Sequence, residues 1–165
     1  MLSPGTIEIL DATPATLRAM LEHVPQECIE TAGDEGWSPR DVVVHLASRQ
    51  RPALIGRLTM IVEQDHPLLP DIPDDALPGG YSLRDQSFPA IMAEFEAVRT
   101  EAMTLVRSLS ADQLARTARH ETAGEVSAAD IVHHIAYHDL VHIAQINALL
   151  RDPIDRARGP MRIFT

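Results

Sequence analysis

Apolar residues recur along most of this chain at the spacing of a helix rather than a strand. The plainest case is Ile131 to Leu150, IVHHIAYHDLVHIAQINALL, a stretch of twenty residues with no Gly and no Pro. At about 100° per residue, Ile131, Ile135, Ile146 and Leu149 fall on one stripe, with His138 and His142 near its centre. Ser127-Ala128-Ala129-Asp130 precedes it and reads as a capped helix start.

Three further helices follow from the same pattern. Thr13-Pro14 predicts a start for the first, with Leu17, Met20, Leu21 and Val24 on its apolar face, after a short arm over residues 1–12. Pro25 kinks or ends it, and GDEG at 33–36 is a break. Ser38-Pro39-Arg40-Asp41 predicts the cap of a second helix that runs to about Gln64 and is bent at Pro52. The third begins near Ser87-Phe88-Pro89 and buries Ile91, Phe95, Val98, Met103 and Val106. Its outer face holds Glu94, Glu96, Arg99, Glu101 and Arg107, a solvated surface. Ser110 to Leu114 is a capped short turn and 115–126 a polar loop. The proline-rich stretch 65–83 is a long loop, and the tail from Asp152 reads as extended.

Without strand alternation, these elements predict an all-α four-helix bundle forming a single domain over residues 1–165. Loop lengths leave both up-down-up-down and up-down-down-up orders open.

Composition narrows the picture. Aromatics are only 4% of residues, so the core is aliphatic. A net charge of -10 argues against a nucleic-acid partner, which needs clustered Lys and Arg. No apolar run approaches a membrane span, no signal peptide is visible, and one cysteine, Cys28, fits a reducing compartment. A cytoplasmic protein with no membrane partner is expected. Cys28 reads as a buried, inert thiol.

The chemistry lies in the histidines. His138 and His142, four apart, put two imidazoles on one face, either ligating a divalent metal or bonded to buried partners. His134 extends the ladder at about 60° from the stripe's centre. His133 points away towards solvent, His120 lies in the loop before the last helix, and His23 and His66 have no evident partner. Asp139, about 80° off the stripe, reads as a surface residue more than an acceptor behind His138. Arg49, one turn after His45, reads as a surface salt bridge or a contact for an anionic substrate. Trp37 packs where the second helix begins.

W37-S-P-x-D-V-V-x-H45-L, together with G124-E-V-S-x-x-D-I-V-x-H-I-A-Y-H138-D-L-V-H142-I-A-Q-I, resembles the DinB-like superfamily, which includes the YfiT-like proteins. The resemblance runs from the first helix through Leu150. It implies an up-down-down-up bundle, often dimeric, in bacterial relatives. It also implies a divalent metal held by one histidine of the second helix and two of the last, here His45, His138 and His142. Three neutral imidazoles leave coordination positions open and suit zinc, with nickel, iron or manganese as alternatives. By resemblance the expected activity is transfer of a low-molecular-weight thiol, such as bacillithiol or mycothiol, to a small electrophilic substrate. A metal-dependent hydrolase, or a non-enzymatic metal-binding or stress-linked protein, is the alternative. A homodimer is expected, because Val43, Val44, Leu54, Ile55, Leu58 and Ile61 spread around the second helix and predict burial on more than one side.

Overall fold

Helix starts in this chain are set by local capping chemistry. The structure, a computed structural model, describes residues 1–72 and 83–164. Ser38 Oγ accepts the Asp41 amide while the Asp41 carboxylate accepts the Ser38 amide, and this box opens α3 (Pro39–Arg49). The same reciprocal pair between Ser127 and Asp130 opens α7 (Ala128–Ala157). α5 (Phe88–Ser108) starts after Ser87 with Pro89 in its first turn, as predicted. Two short helices, α2 (Gln26–Glu30) and α6 (Ala111–Ala115), fill connections.

α1 (Thr6–Leu21) corrects the sequence reading. It begins at Gly5, whose φ of 85° suits a residue without Cβ, and Pro14 lies inside it instead of starting it. Proline at 14 cannot donate to the carbonyl of Leu10. That carbonyl instead accepts Nη1 of Arg99 at 2.7 Å, so a tertiary contact repairs what the proline removes. A second proline, Pro52, is absorbed differently. After Arg49 the helix widens into a π-helical stretch (Gln50–Gly56), then returns to α-helix as α4 (Arg57–Glu63). A third, Pro153, lies inside α7. The chain from Asp152 is therefore helical to Ala157, followed by a 3₁₀ turn (Gly159–Ile163), and not extended. Arg158 holds that end by donating to Asp155 and to the carbonyls of Met161 and Phe164.

The long helices form a four-helix bundle. α1 packs on α5 and α7, and α3 packs on the same two, so α1 faces α3 across a diagonal. Ion pairs Arg18–Glu96 and Arg107–Asp11 join opposite ends of α1 and α5, which are antiparallel. Arg40 on the Gln86 carbonyl and Arg51 on Glu101 make α3 and α5 parallel. The Ser3 amide on His133 and the packing of Gly33 against Leu149 make α1 and α7 parallel. The order is up-down-down-up. At Gly33 an added Cβ would lie 2.5 Å from Leu149 Cδ2, so glycine lets the α2–α3 connection close on α7.

Segments read as loops contain a small sheet. β1 (Leu68–Leu69) pairs in parallel with β2 (Thr117–His120), which pairs antiparallel with β3 (Gly124–Ser127). Strands of two to four residues are too short to show a period of two in sequence. The remainder of the 65–83 loop, residues 73–82, lies outside the described residues.

Two aliphatic clusters fill the bundle. One contains Leu10, Leu54, Leu58, Ile61, Ile131 and Ile135; the other contains Leu17, Val42, Leu46, Ile91, Phe95 and Ile146. Val43, Val44, Leu54, Leu58 and Ile61 are buried within the chain itself, and Ile55 is half-buried. The large apolar residues left exposed on α7 include Tyr137, Leu140, Val141 and Ile154. Among the described residues no helix is long and apolar enough to cross a membrane.

Between the clusters lies a polar network that the sequence reading placed on the surface. Arg99 and Asp139 are 2% and 1% exposed. Arg99 Nη1 and Nη2 donate to the two Asp139 carboxylate oxygens at 2.6 and 3.0 Å, and Nε donates to Gln50 Oε1 at 2.7 Å. Arg99 follows Phe95 of one cluster and precedes Ala102 of the other, and Asp139 stands likewise between Ile135 and Ile146.

Candidate metal centre

His45 projects from α3, and His138 and His142 from α7, where the two helices pack against each other. Their ligand nitrogens all lie within 4.8 Å of one another, and among the described residues this is the one group of His, Cys, Asp or Glu so clustered. His138 Nε2 is central, 3.1 Å from His45 Nε2 and 3.2 Å from His142 Nε2. All three rings are half-buried. His133 and His134, next to them in sequence, stand apart. His133 is half-buried, not solvent-facing, and its Nε2 accepts the Ser3 amide at 2.9 Å. The His134 ring centroid lies 6.0 Å from that of His138.

Protons alone satisfy this arrangement poorly. Gln145 Oε1 lies 2.7 Å from His142 Nδ1 and, as an amide oxygen, can only accept, so the ring proton of neutral His142 sits on Nδ1. Its Nε2 then presents a bare lone pair to His138. The His138 ring has one proton at most to give towards two neighbouring nitrogens, so one of the two close contacts is left without a hydrogen bond. A second proton on His138 is disfavoured: burial first, then the charges of His142, His45, His134 and Arg49, lower the His138 pKa to about 3. A divalent cation meets the same geometry directly. Tetrahedral zinc with nitrogens at ~2.0–2.1 Å sets neighbouring nitrogens ~3.3–3.4 Å apart, close to the separations here. The donor set therefore fits a metal ion, and Gln145 fixes the ligating tautomer of His142.

Trp37 closes one side. Its ring meets His45 edge-on at 5.4 Å and stacks on His142 at 6.4 Å. Beyond it a cavity of about 830 Å³ is lined by Cys28, Trp37, Gln145, Leu149 and Ile154. Cys28 is exposed there, contrary to expectation, because the short α2 turns it outwards while Ile29 points into the core.

The other side holds two arginines beside the segment Pro70 to Ile72. Arg49 is buried, and its Nη1 donates to the Ile72 carbonyl at 2.8 Å. Arg57 Nη2 donates to the Pro70 carbonyl at 3.1 Å. His120 is on strand β2 and not in a loop; its Nδ1 accepts from the Thr122 amide and lies 3.5 Å from Asp71. Burial, then Arg57 and His120, lower the His134 pKa, so this imidazole is neutral at pH 7. The remaining histidines have partners that sequence did not show: His66 lies 2.9 Å from Glu125 and His23 3.3 Å from Glu22.

Asp139 and Arg99 are the residues sequence reasoning missed. The signal was present in phase. The residues α7 buries, among them Val132, Ile135, Asp139 and Ile146, centre about 80° from the stripe drawn through the histidines. Asp139 therefore lies in the core, and His138 and His142 lie on its flank.

Comparison with known proteins agrees with this architecture. Residues 9–146 match the DinB superfamily. A candidate metal-dependent hydrolase of Oceanobacillus iheyensis is 25% identical over 148 residues, covering 88% of this chain and 84% of its own. The solved structure of YfiT from Bacillus subtilis superposes with a TM-score of 0.80 at 23% identity, covering 92% of this chain and 90% of that one. YfiT is described as a probable metal-dependent hydrolase with an unusual four-helix bundle topology. The chain belongs to the DinB superfamily.

Proposed function

We propose that this member of the DinB superfamily is a metal-dependent hydrolase of small molecules whose metal ligands are His45, His138 and His142. The observation that carries the reading is the convergence of three Nε2 atoms, those of His45 and His142 lying 3.1 and 3.2 Å from that of His138, in a tautomer pattern that protons do not complete. The names of the relatives, both hydrolases by description, support hydrolysis over the thiol transfer that the motif resemblance implied.

His45, His138 and His142 would hold a divalent ion with coordination positions left open, and such an ion would supply Lewis-acid polarisation of a substrate and a water nucleophile near neutral pH. Zinc suits three imidazoles best. The chain's own residues do the rest. His45 and the α7 pair hold the ligand geometry from two packed helices, which is more rigid than a loop-borne site. Trp37 covers two of the rings and excludes water from that side. His134 stands one turn from His138 with its ring centroid 6.0 Å away, and would serve as the base beside the site.

The test is metal analysis of protein purified without a metal-affinity tag, followed by a panel of small ester, amide and phosphoester substrates. One ion per chain and chelator-sensitive hydrolysis, both lost in His138→Ala, are expected. Hydrolysis that survives the chelator sinks the reading. A panel without turnover, alongside conjugation of a small thiol to an electrophile by the metal-loaded protein, would return the assignment to thiol transfer.

A further inference from the structure

None of the three clustered histidines lines the cavity of about 830 Å³ beyond Trp37, yet Trp37 and Gln145 belong to both places. Its size is that of a pocket for a small molecule. One wall is α2 with the connection to α3, and the other is α7 from Gln145 to Arg156. The first wall is fixed in place. Gly33 packs against Leu149, its amide donates to the Trp37 carbonyl at 2.8 Å, and the Gly36 amide donates to the Gly33 carbonyl at 2.9 Å. Asp34 and Glu35 are therefore carried at the tip of a closed turn, and not on a free loop.

Two chemistries line the cavity. Half-buried Trp37, Ala148, Leu149 and Leu150 give it an apolar inner surface, and exposed Glu27, Asp34 and Glu35 give it a charged outer one. Among the described residues none of these three carboxylates has an ion pair or a side-chain hydrogen bond. Arg156, the one basic residue of the lining, pairs with none of them, and the fourth acid, Asp152, is taken by Arg151 at 2.9 Å. Three like charges around one opening make its potential negative and favour a cation. An indole beside carboxylates is also a good seat for an ammonium group, which the ring attracts through its quadrupole. Glu27 has a second use in the first turn of α2, so the test falls on Asp34 and Glu35.

We propose that this cavity is a second ligand site, for a small cation with an apolar body: an ammonium group carried on an aryl or branched alkyl frame. The frame packs on Trp37 and the α7 leucines, and the ammonium faces Asp34 and Glu35. The site does not depend on the hydrolase reading, because binding needs neither metal nor turnover.

The chain carries its own reporters, since Trp37 is the single tryptophan and Cys28 the single cysteine, and both line the cavity. Metal-free protein is titrated with benzyltrimethylammonium, benzyl alcohol and benzenesulfonate, which share a ring and differ in charge. Trp37 fluorescence reads binding, and the rate of Cys28 alkylation by iodoacetamide reads where the ligand sits. Wild type is expected to bind the cation at millimolar concentration or tighter, the alcohol at least about fivefold more weakly and the sulfonate more weakly still. The bound cation is expected to slow alkylation. Asp34→Asn with Glu35→Gln, at an exposed turn, should bring the cation to the affinity of the alcohol. Ala148→Phe, which fills the inner surface, should weaken both. Thermal melting checks that each variant folds, and the charge variant decides the matter alone if Ala148→Phe does not. No binding of the cation, equal binding of cation and sulfonate, or unchanged cation affinity in the charge variant overturns the proposal. Cation binding that leaves Cys28 alkylation at its free rate places the cation elsewhere and overturns it too.

Discussion

Replacing Arg99 by Met tests the account of the core most severely. The substitution keeps volume and helix propensity but removes every donor of the guanidinium. Asp139 would lose both hydrogen bonds from Arg99 while buried to 1% exposure, Gln50 Oε1 would lose its donor, and the Leu10 carbonyl would lose the contact that stands in for the amide Pro14 lacks. Breaking a buried pair from one side costs about 3–5 kcal/mol, because the surviving charge stays desolvated. Whole domains are stable by about 5–15 kcal/mol, so the variant should be marginal. At ~2–4 °C per kcal/mol for a chain of this size, the midpoint should fall by roughly 6–20 °C. Two companions separate the contributions. Arg99→Met with Asp139→Leu removes both charges and should be more stable than Arg99→Met alone. Arg99→Met with Pro14→Ala returns an amide to the Leu10 carbonyl and should recover about 1 kcal/mol. Urea unfolding of the metal-free protein measures all of them. A cost below about 1 kcal/mol for Arg99→Met, the usual size for an exposed pair such as Arg51–Glu101, would refute the buried network as drawn.

Metal stoichiometry should separate neighbouring histidines: His138→Ala should lose the bound ion, while His133→Ala, which removes only the Ser3 contact, should keep it. In the metal-free protein His138 is neutral in the folded state down to pH about 3, against 6.5 ordinarily. The unfolded chain therefore binds the extra proton between these values, and stability should fall as pH is lowered from about 6.5 towards 3. His138→Leu should flatten that slope in urea titrations at pH 4.5 and 7. Trp37, the single tryptophan, contacts two of the ligand rings, so metal addition should change its fluorescence in wild type and leave it unchanged in His138→Ala.

Much of the bundle was legible because its signals are local. A serine followed three residues later by an acid or amide writes its own cap, which is why α3, α6 and α7 begin where the sequence placed them. The aliphatic repeat gave four long helices, and the histidine spacing in α7 gave two of the three convergent rings. His45 could be joined to them only through motif resemblance, since nothing in its own mixed helical face says that α3 meets α7.

What escaped the sequence depends on partners far along the chain. Pro14 looks like a helix start until Arg99, contributed by α5, is seen to occupy the carbonyl the proline leaves free. Arg99 and Asp139 look like surface charges because charge is costly to bury alone, and only packing of their helices satisfies each by the other. β1, β2 and β3 are too short to carry a pattern: β2 and β3 make a local hairpin, and β1 exists only by pairing with β2 from far along the chain. Helical phase locates a residue on its own helix, whereas burial depends on which faces the neighbouring helices cover. The tertiary structure thus put Asp139 in the core, set His138 and His142 on its flank, and brought His45 opposite them.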